Sequence, residues 1–160
     1  MTRTTTKPGD IFAVKVDANS QKFMQYVTND ITQLNSDVVR VFKGVHSLDS
    51  NPTASEIIHK EVDFYAHCVL KWGLKLGYWT KFGTSTDVGH LNIYFRSSAD
   101  DPKVPVSSDW WVWIVNTQQE HVGRLTEQNK NAEIGSVIPP QSLIYRMKHG
   151  KYDFVYPNYE

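Results

Sequence analysis

The side chains that could carry out acid–base chemistry or hold a metal ion are spread along the whole chain. The sequence has six histidines, which are His46, His59, His67, His90, His121 and His149. No two of them stand at a spacing such as HxH or HExxH, which places two ligands on one side of a strand or helix. Each is interpreted as an ordinary surface or capping histidine, with His67 on the polar side of a strand. This pattern predicts neither a metal site nor a cofactor.

Nucleophilic chemistry has equally little support. Cys68 is the only cysteine, so the sequence predicts no intramolecular disulfide and no multi-cysteine zinc site. It falls on the apolar side of a predicted strand, which indicates a buried and unreactive thiol. No GxSxG, GxGxxG or P-loop motif occurs, and the acidic pair Asp100–Asp101 lies in a polar loop. We predict no catalytic residues and disfavour an enzyme, although groups that meet only in space leave no such motif.

The aromatic residues are candidates for binding, because tryptophan and tyrosine often anchor protein interfaces. The segment DWWVWIV, residues 109–115, is apolar on both sides of an alternating strand, which favours a strand covered on both faces. Trp110 begins this strand next to Asp109, where one end of its ring could stay in contact with solvent. Tyr78 and Trp79 lie in a glycine-flanked segment, where binding and core packing are equally open. These four residues are candidate contacts for a protein partner.

A polar stretch, NDITQLNSD at residues 29–37, adds three candidates. Its Asn, Asp and Ser side chains compete with the backbone for hydrogen bonds, which is typical of a structured loop. Asp30, Asn35 and Asp37 could form a local patch that contacts a partner. The alternative is that they cap turns within the loop itself.

Composition limits the class of protein. The 160 residues are 40% hydrophobic and 21% charged, which is typical of a globular protein able to bury a core. Seventeen basic residues balance seventeen acidic ones, so the basic surface of a nucleic-acid-binding protein is not expected. No segment approaches the roughly 18 apolar residues of a membrane span, and the first ten residues lack a signal-peptide core. These features predict a cytoplasmic protein without a membrane partner.

Period-two alternation indicates that strands position most of these residues. Residues 10–16 and 22–28 predict a β-hairpin, residues 62–72 a half-buried strand, and residues 110–116 and 121–125 a second hairpin. Further strands are predicted at 38–42, 91–96 and 152–157, and helices at 51–61 and 139–150. We therefore predict one α+β domain over residues 1–160, with a curved, mainly antiparallel sheet of about seven or eight strands and one or two helices.

Four stretches together resemble a family of bacterial immunity proteins from polymorphic toxin systems. They are PGDIFAVKV (8–16), QYVTNDITQLNSDVVRVFK (25–43), VDFYAHCVLKWGLKLGYWTKFG (62–83) and YRMKHGKYDFVYP (145–157). They occur in this order and span most of the chain, although each is a structural signature without a catalytic motif. The resemblance implies a cytoplasmic, single-domain immunity protein that binds and neutralises a cognate toxin. The toxin, the binding face and the oligomeric state stay open.

Two other functions stay open as well. Some members of the same grouping carry a phosphotriesterase-type label, which would imply a small metal-dependent hydrolase. Phosphotriester hydrolysis needs a water molecule held by several His and carboxylate ligands, and no such spacing occurs here. The other alternative is a nucleic-acid-binding module that stacks bases on aromatic side chains, against which the zero net charge weighs.

Overall fold

A computed structural model describes residues 5–159, which form an α+β fold of twelve strands and three short helices. The strands are β1 (Asp10–Lys15), β2 (Ser20–Asp30), β3 (Ser36–Phe42), β4 (His46–Ser47), β5 (Val62–Cys68), β6 (Trp79–Thr84), β7 (Tyr94–Ser98), β8 (Val106–Ser107), β9 (Trp110–Ile114), β10 (Glu120–Gly123), β11 (Glu133–Ile134) and β12 (Asn158–Tyr159). The helices are α1 (Ala54–Ile58), α2 (Leu70–Lys75) and α3 (Pro140–His149). The predicted class is confirmed, with more strands and one more helix than predicted. Residues 1–4 and 160 of the predicted domain lie outside the described residues.

The main sheet has six antiparallel strands in the order β5-β3-β2-β1-β6, with the short β4 beside β2. It contains the predicted hairpin, in which β1 pairs with β2 across the turn at Asp17. The Asp17 carboxylate accepts a hydrogen bond from the backbone N–H of Asn19 at 2.8 Å, which closes this turn locally. The predicted strand at 62–72 is shorter than expected, because β5 ends at Cys68.

The strands after β6 form two smaller sheets. β10, β9, β7 and β11 make a four-stranded sheet in which β11 is parallel to β7, and β12 pairs with β8 in parallel. The prediction of one curved sheet is therefore wrong for the described residues. The physical reason lies after β6, where the carbonyl of Asp87 accepts hydrogen bonds from Gln25 and Arg40 on the face of the main sheet. The chain thus leaves the sheet edge, and the next strands begin a second layer.

Both faces of the main sheet are buried. The larger core lies against α2 and α3 and includes Phe12, Val14, Met24, Tyr26, Val39, Val41, Phe64, Ala66, Cys68, Leu70, Trp79, Ile138, Leu143 and Met147. The opposite face packs against α1 at one end and against the four-stranded sheet at the other, where Phe95 and Trp113 meet Val27 and Val38. The predicted covering of strand 110–116 on both faces is confirmed, because Val112 and Trp113 are both buried although they point to opposite sides.

α3 confirms the better of the two predicted helices. Pro140 stands in its first turn, and Gly150 follows its last residue with a left-handed φ of 80°. Leu143 and Met147 are buried on one side, and Arg146 makes two hydrogen bonds to the Glu133 carboxylate at 2.8 and 3.1 Å. At ten residues α3 is the longest of the helices in residues 5–159, none of which has the length and hydropathy needed to cross a bilayer.

α2 is held against the main sheet by a contact between a glycine and a tryptophan. The indole N–H of Trp79 donates to the carbonyl of Leu70 at 3.0 Å, and the ring lies on the backbone of Gly73. A Cβ atom at Gly73 would come within 1.9 Å of the ring carbon Cε2 of Trp79. The absence of a side chain at position 73 therefore allows α2 to pack this closely.

Gly73→Ala is expected to lower the free energy of unfolding by about 1–3 kcal/mol, because the new methyl group must displace the buried Trp79 ring. Intrinsic helix propensity alone would predict the opposite sign, a gain of up to about 1 kcal/mol. Urea denaturation measures the difference. Gly83→Ala is the matched control, since its Cβ would meet no atom within 4 Å and it lacks a left-handed φ. Equal stabilities of the two variants would contradict the close contact.

Candidate functional site

Asp30 is a buried carboxylate that joins the two larger sheets. It ends β2, and its side chain is 0% exposed. Three N–H groups donate to it, which are Nε2 of His67 at 2.8 Å, the Trp113 indole at 2.9 Å and the backbone of Asn116 at 2.9 Å. His67 belongs to β5 and Trp113 to β9, so one carboxylate is shared by both layers. Such full hydrogen bonding is what allows a charge to remain inside a protein.

His67 is held in its uncharged form. Its side chain is 0% exposed and packs on Phe95, with ring centroids 4.0 Å apart. Burial lowers the pKa of His67, and the hydrogen bond and charge of Asp30 oppose this shift only in part. Nδ1 is buried without a hydrogen-bond partner among the described residues, so a proton there would leave a buried N–H unsatisfied.

The prediction of a surface or capping histidine is therefore wrong for His67, and the prediction of a surface carboxylate is wrong for Asp30. The sequence contained an indirect signal. A strand at 110–116 that is covered on both faces requires a second layer, and that layer covers the side of β5 that was interpreted as polar. Because the Asp30–His67 pair has no access to solvent, we assign it a structural role.

The remaining reactive groups do not assemble into a site. No group of three or more His, Cys, Asp or Glu side chains within residues 5–159 is placed to hold a metal ion. Cys68 is buried as predicted, and burial raises the pKa of its thiol, with the charge of Asp37 acting in the same direction. The thiol therefore stays protonated at neutral pH.

The outer side of α2 presents a different kind of surface. Val69, Trp72 and Leu76 are 38%, 54% and 56% exposed, and we call these three residues the α2 ridge. Trp72 and Leu76 are four residues apart, which places them on one side of the helix, and Val69 stands just before its first residue, whereas Leu70 and Gly73 are buried. Neighbouring exposed apolar side chains of this size are typical of interaction sites.

A groove of about 330 Å³ opens at the N-terminal end of α2. It is lined by Thr6, Tyr26, Asn29, Asn35, Ser36, Asp37, Cys68, Val69 and Lys71. The carboxylate of Asp37 accepts the backbone N–H of Leu70 at 3.0 Å, which fixes where the helix begins. Asn35 is exposed and has a left-handed φ of 44°, a conformation that asparagine adopts more readily than most residues. Two of the predicted candidates, Asn35 and Asp37, therefore lie beside the ridge.

A second groove, of about 280 Å³, lies at the C-terminal end of α2. It is lined by Lys15, Val16, Asp17, Gly77, Tyr78 and Ile144. Tyr78, a third predicted candidate, is half-buried and also packs against the larger core. The α2 ridge and the two grooves together form one continuous region, which we call the α2 surface.

The other candidates lie away from this surface. Trp79 is 2% exposed, so core packing is the correct one of its two open interpretations and Trp79 is wrong as a candidate contact. Residue 79 begins strand β6, which pairs with β1, and its ring packs against α2. The prediction that one end of the Trp110 ring stays in contact with solvent is also wrong, because Trp110 is 0% exposed. Its indole N–H donates to the carbonyl of Ser107 at 2.9 Å, Arg96 lies over its ring, and Tyr156 meets the ring at a tilt with centroids 6.1 Å apart.

Asp109 is half-buried, and its carboxylate forms a hydrogen bond with Nε2 of His121 on the adjacent strand β10. Nearby, a larger groove of about 470 Å³ crosses the same sheet. It is lined by Tyr94, Val112, Trp113, Ile114, Thr117, Gln118, Glu120, Val122, Gln128 and Asn129. Its lining combines apolar side chains with polar ones, three of which are amides, and none of the predicted candidates lines it.

Trp72, the most exposed aromatic residue of the α2 surface, is the residue that sequence reasoning missed. The apolar–polar alternation of strand β5 continues in the sequence through Leu70 and Lys71, so Trp72 falls at the end of the strand predicted at 62–72. The available signal was the helical spacing of Val69, Trp72 and Leu76. Gly73 obscured it, because glycine is unfavourable inside a helix.

Comparison with known proteins finds no protein-family model, no curated protein and no solved structure that matches this chain. The resemblance to immunity proteins therefore rests on the four sequence stretches. The geometry of the α2 surface is a separate observation.

His67 makes the stability of the fold depend on pH. Because burial lowers the pKa of His67 in the folded chain below the ordinary histidine value of about 6.5, the unfolded chain binds a proton more readily. The contribution of neutral His67 is complete above about pH 6.5 and is lost as the pH falls below it. Between pH 7.5 and 5.5 the wild type is expected to lose about 1 kcal/mol more unfolding free energy than His67→Gln, whose amide can still donate to Asp30.

Urea denaturation at the two pH values measures this difference. Burial also lowers the pKa of His46, so His46→Gln is a control for a second titrating histidine. A His67→Gln variant with the pH dependence of the wild type would contradict the assignment.

Proposed function

We propose that this chain is an immunity protein that binds a cognate toxin domain in the cytoplasm and neutralises it. The single observation that carries the proposal is the α2 ridge, which exposes Trp72 between Val69 and Leu76. A tryptophan that is half exposed beside two apolar neighbours is the kind of residue that dominates binding energy in protein interfaces.

The grooves on either side of the ridge add shape to this surface. A partner side chain could enter each groove while the ridge itself enters a pocket of the partner. Asn35 and Tyr78 would then supply hydrogen bonds around an apolar centre, which is the usual anatomy of a specific interface. This arrangement favours a protein partner over a small substrate, because the surface is formed by a protruding ridge and open grooves.

The family resemblance supports the choice of a toxin as the partner. The α2 surface is built largely from the stretches that carry the resemblance, since Lys15 belongs to 8–16, Asn35 and Asp37 to 25–43, and the ridge and Tyr78 to 62–83. The hydrolase alternative gains no comparable observation in the described part of the chain, and the zero net charge of the whole chain weighs against the nucleic-acid alternative.

Neutralisation by such a protein depends on occupancy, and therefore on slow dissociation. The contacts that hold α2 in place make the ridge rigid, which suits this requirement. Trp79 and Gly73 hold α2 from below and Asp37 anchors its first residue, so few degrees of freedom are lost on binding. We therefore expect the α2 surface to change little between the free and the bound state.

The experiment begins with the toxin domain encoded next to this chain in its source genome. Coexpression should restore growth of cells that produce the domain, and calorimetry with purified proteins should give a 1:1 complex. If the wild-type chain neither restores growth nor binds the domain, the proposed function is wrong.

Trp72→Ala is expected to weaken binding by at least about thirtyfold, or ~2 kcal/mol, because it removes the central anchor of the interface. The melting temperature should change little, since the ring is half exposed. Leu76→Ala and Leu91→Ala are a matched pair, as both leucines are about half exposed. Leu76 belongs to the ridge, so its replacement should weaken binding, whereas Leu91 lies outside the ridge and its replacement is the control. Wild-type affinity in the Trp72 variant would place the interface elsewhere on the chain.

A further inference from the structure

We infer that the partner face bound by the α2 surface is acidic, with carboxylates arranged around an apolar pocket that receives Trp72. This inference rests on the proposed function and adds the chemistry of the partner. The observation behind it is a group of four exposed lysines around the ridge that form no ion pair with residues 5–159.

Four lysines surround the α2 surface. Lys71 and Lys75 project from α2 itself next to the ridge, Lys15 lines the groove at the C-terminal end of the helix, and Lys148 on α3 lies close enough to Asp17 to act on its charge. All four are exposed. On a chain with seventeen basic and seventeen acidic residues, this is a local concentration of positive charge.

The acidic residues of the same region do not neutralise it. Asp37 is committed to the N–H of Leu70, and Asp17 to the turn that closes the β1–β2 hairpin. Two carboxylates against four ammonium groups leave the region basic. The four lysines also make no ion pair with any described residue, whereas Lys43 and Lys81 elsewhere do, at 3.0 and 3.2 Å.

A partner with matching carboxylates would gain attraction at long range and hydrogen bonds on contact. A phosphate-binding cleft, such as the active site of a nuclease, is itself basic and would be repelled by these lysines. The α2 surface therefore selects a carboxylate-rich part of the toxin. If the toxin is a nuclease, that part lies outside its phosphate-binding cleft.

The test is the rate of association with the purified toxin domain, measured by biolayer interferometry at 50 and 300 mM NaCl. Attraction between a basic and an acidic face predicts that the wild-type rate falls about fivefold or more with salt. Lys71→Glu with Lys75→Glu should slow association about tenfold at low salt and remove or reverse the salt dependence. Lys103→Glu, an exposed loop lysine away from α2, should stay within about twofold of the wild type.

Circular dichroism establishes that the charge-reversed variant is folded, and Lys71→Gln with Lys75→Gln replaces it if it is not. If the folded variant associates as fast as the wild type while Trp72→Ala still weakens binding, the acidic partner face is wrong and the proposed function stands. If the wild type does not bind the toxin domain, both fail.

Binding of the wild type to phosphatidylserine vesicles that depends on Trp72 and competes with the toxin would assign the surface to lipid and overturn the inference. Concentration-dependent dimerisation that is lost in Trp72→Ala would overturn it as well.

Discussion

The carboxylate of Asp30 is the constraint on which most of the structure depends. It is buried with no cation from residues 5–159 beside it, so its charge is balanced by N–H groups from β5, from β9 and from the backbone at Asn116. Each donor belongs to a different part of the chain, and losing any one would leave a buried charge poorly solvated. The four-stranded sheet is therefore fixed in position on the main sheet by directional bonds as well as by apolar packing. Apolar contact alone would tolerate sliding.

This constraint extends to the α2 surface through a short path. Asp30 ends β2, the turn at residues 31–35 reverses the chain with Leu34 and Asn35 in left-handed conformations, and Asp37 in β3 then binds the first N–H of α2. Ile31 is also bound in this region, since its N–H donates to the side chain of Asn116 at 2.8 Å. The position of the ridge is thus determined by hydrogen bonds that begin in the core, which explains how a six-residue helix can present a defined surface.

The parts of the fold that were predictable from sequence are those governed by local periodicity. The β1–β2 hairpin, helix α3 with its Gly150 cap and the burial of Trp113 all follow from alternation or capping within about fifteen residues. Two features were not predictable, the parallel pairing of β11 with β7 and the division into three sheets. Both depend on where the chain around Asp87 passes over the face of the main sheet. No local pattern encodes that crossing.

The candidate site was predictable only in part, for the same reason. Asn35, Asp37 and Tyr78 were identified from residue type, but the sequence gives no sign that they lie near one another. Asp30 and His67 are separated by 37 residues, so their bond is invisible to any short motif. Trp79, in the glycine-flanked segment, lies in the core, whereas Trp72, at the end of a predicted strand, is exposed.

The two sides of α2 bear on how this protein could change over generations. The inward residues, Leu70 and Gly73, are tied to Trp79 and the main sheet, so replacements there lower the stability of the fold. The outward residues, Val69, Trp72 and Leu76, support little of the fold. Mutation can therefore redraw the outer side freely while selection for stability acts only on the inner side. A lineage that must follow a changing partner could exchange one recognition surface for another through a series of folded intermediates, within the length of a single short helix.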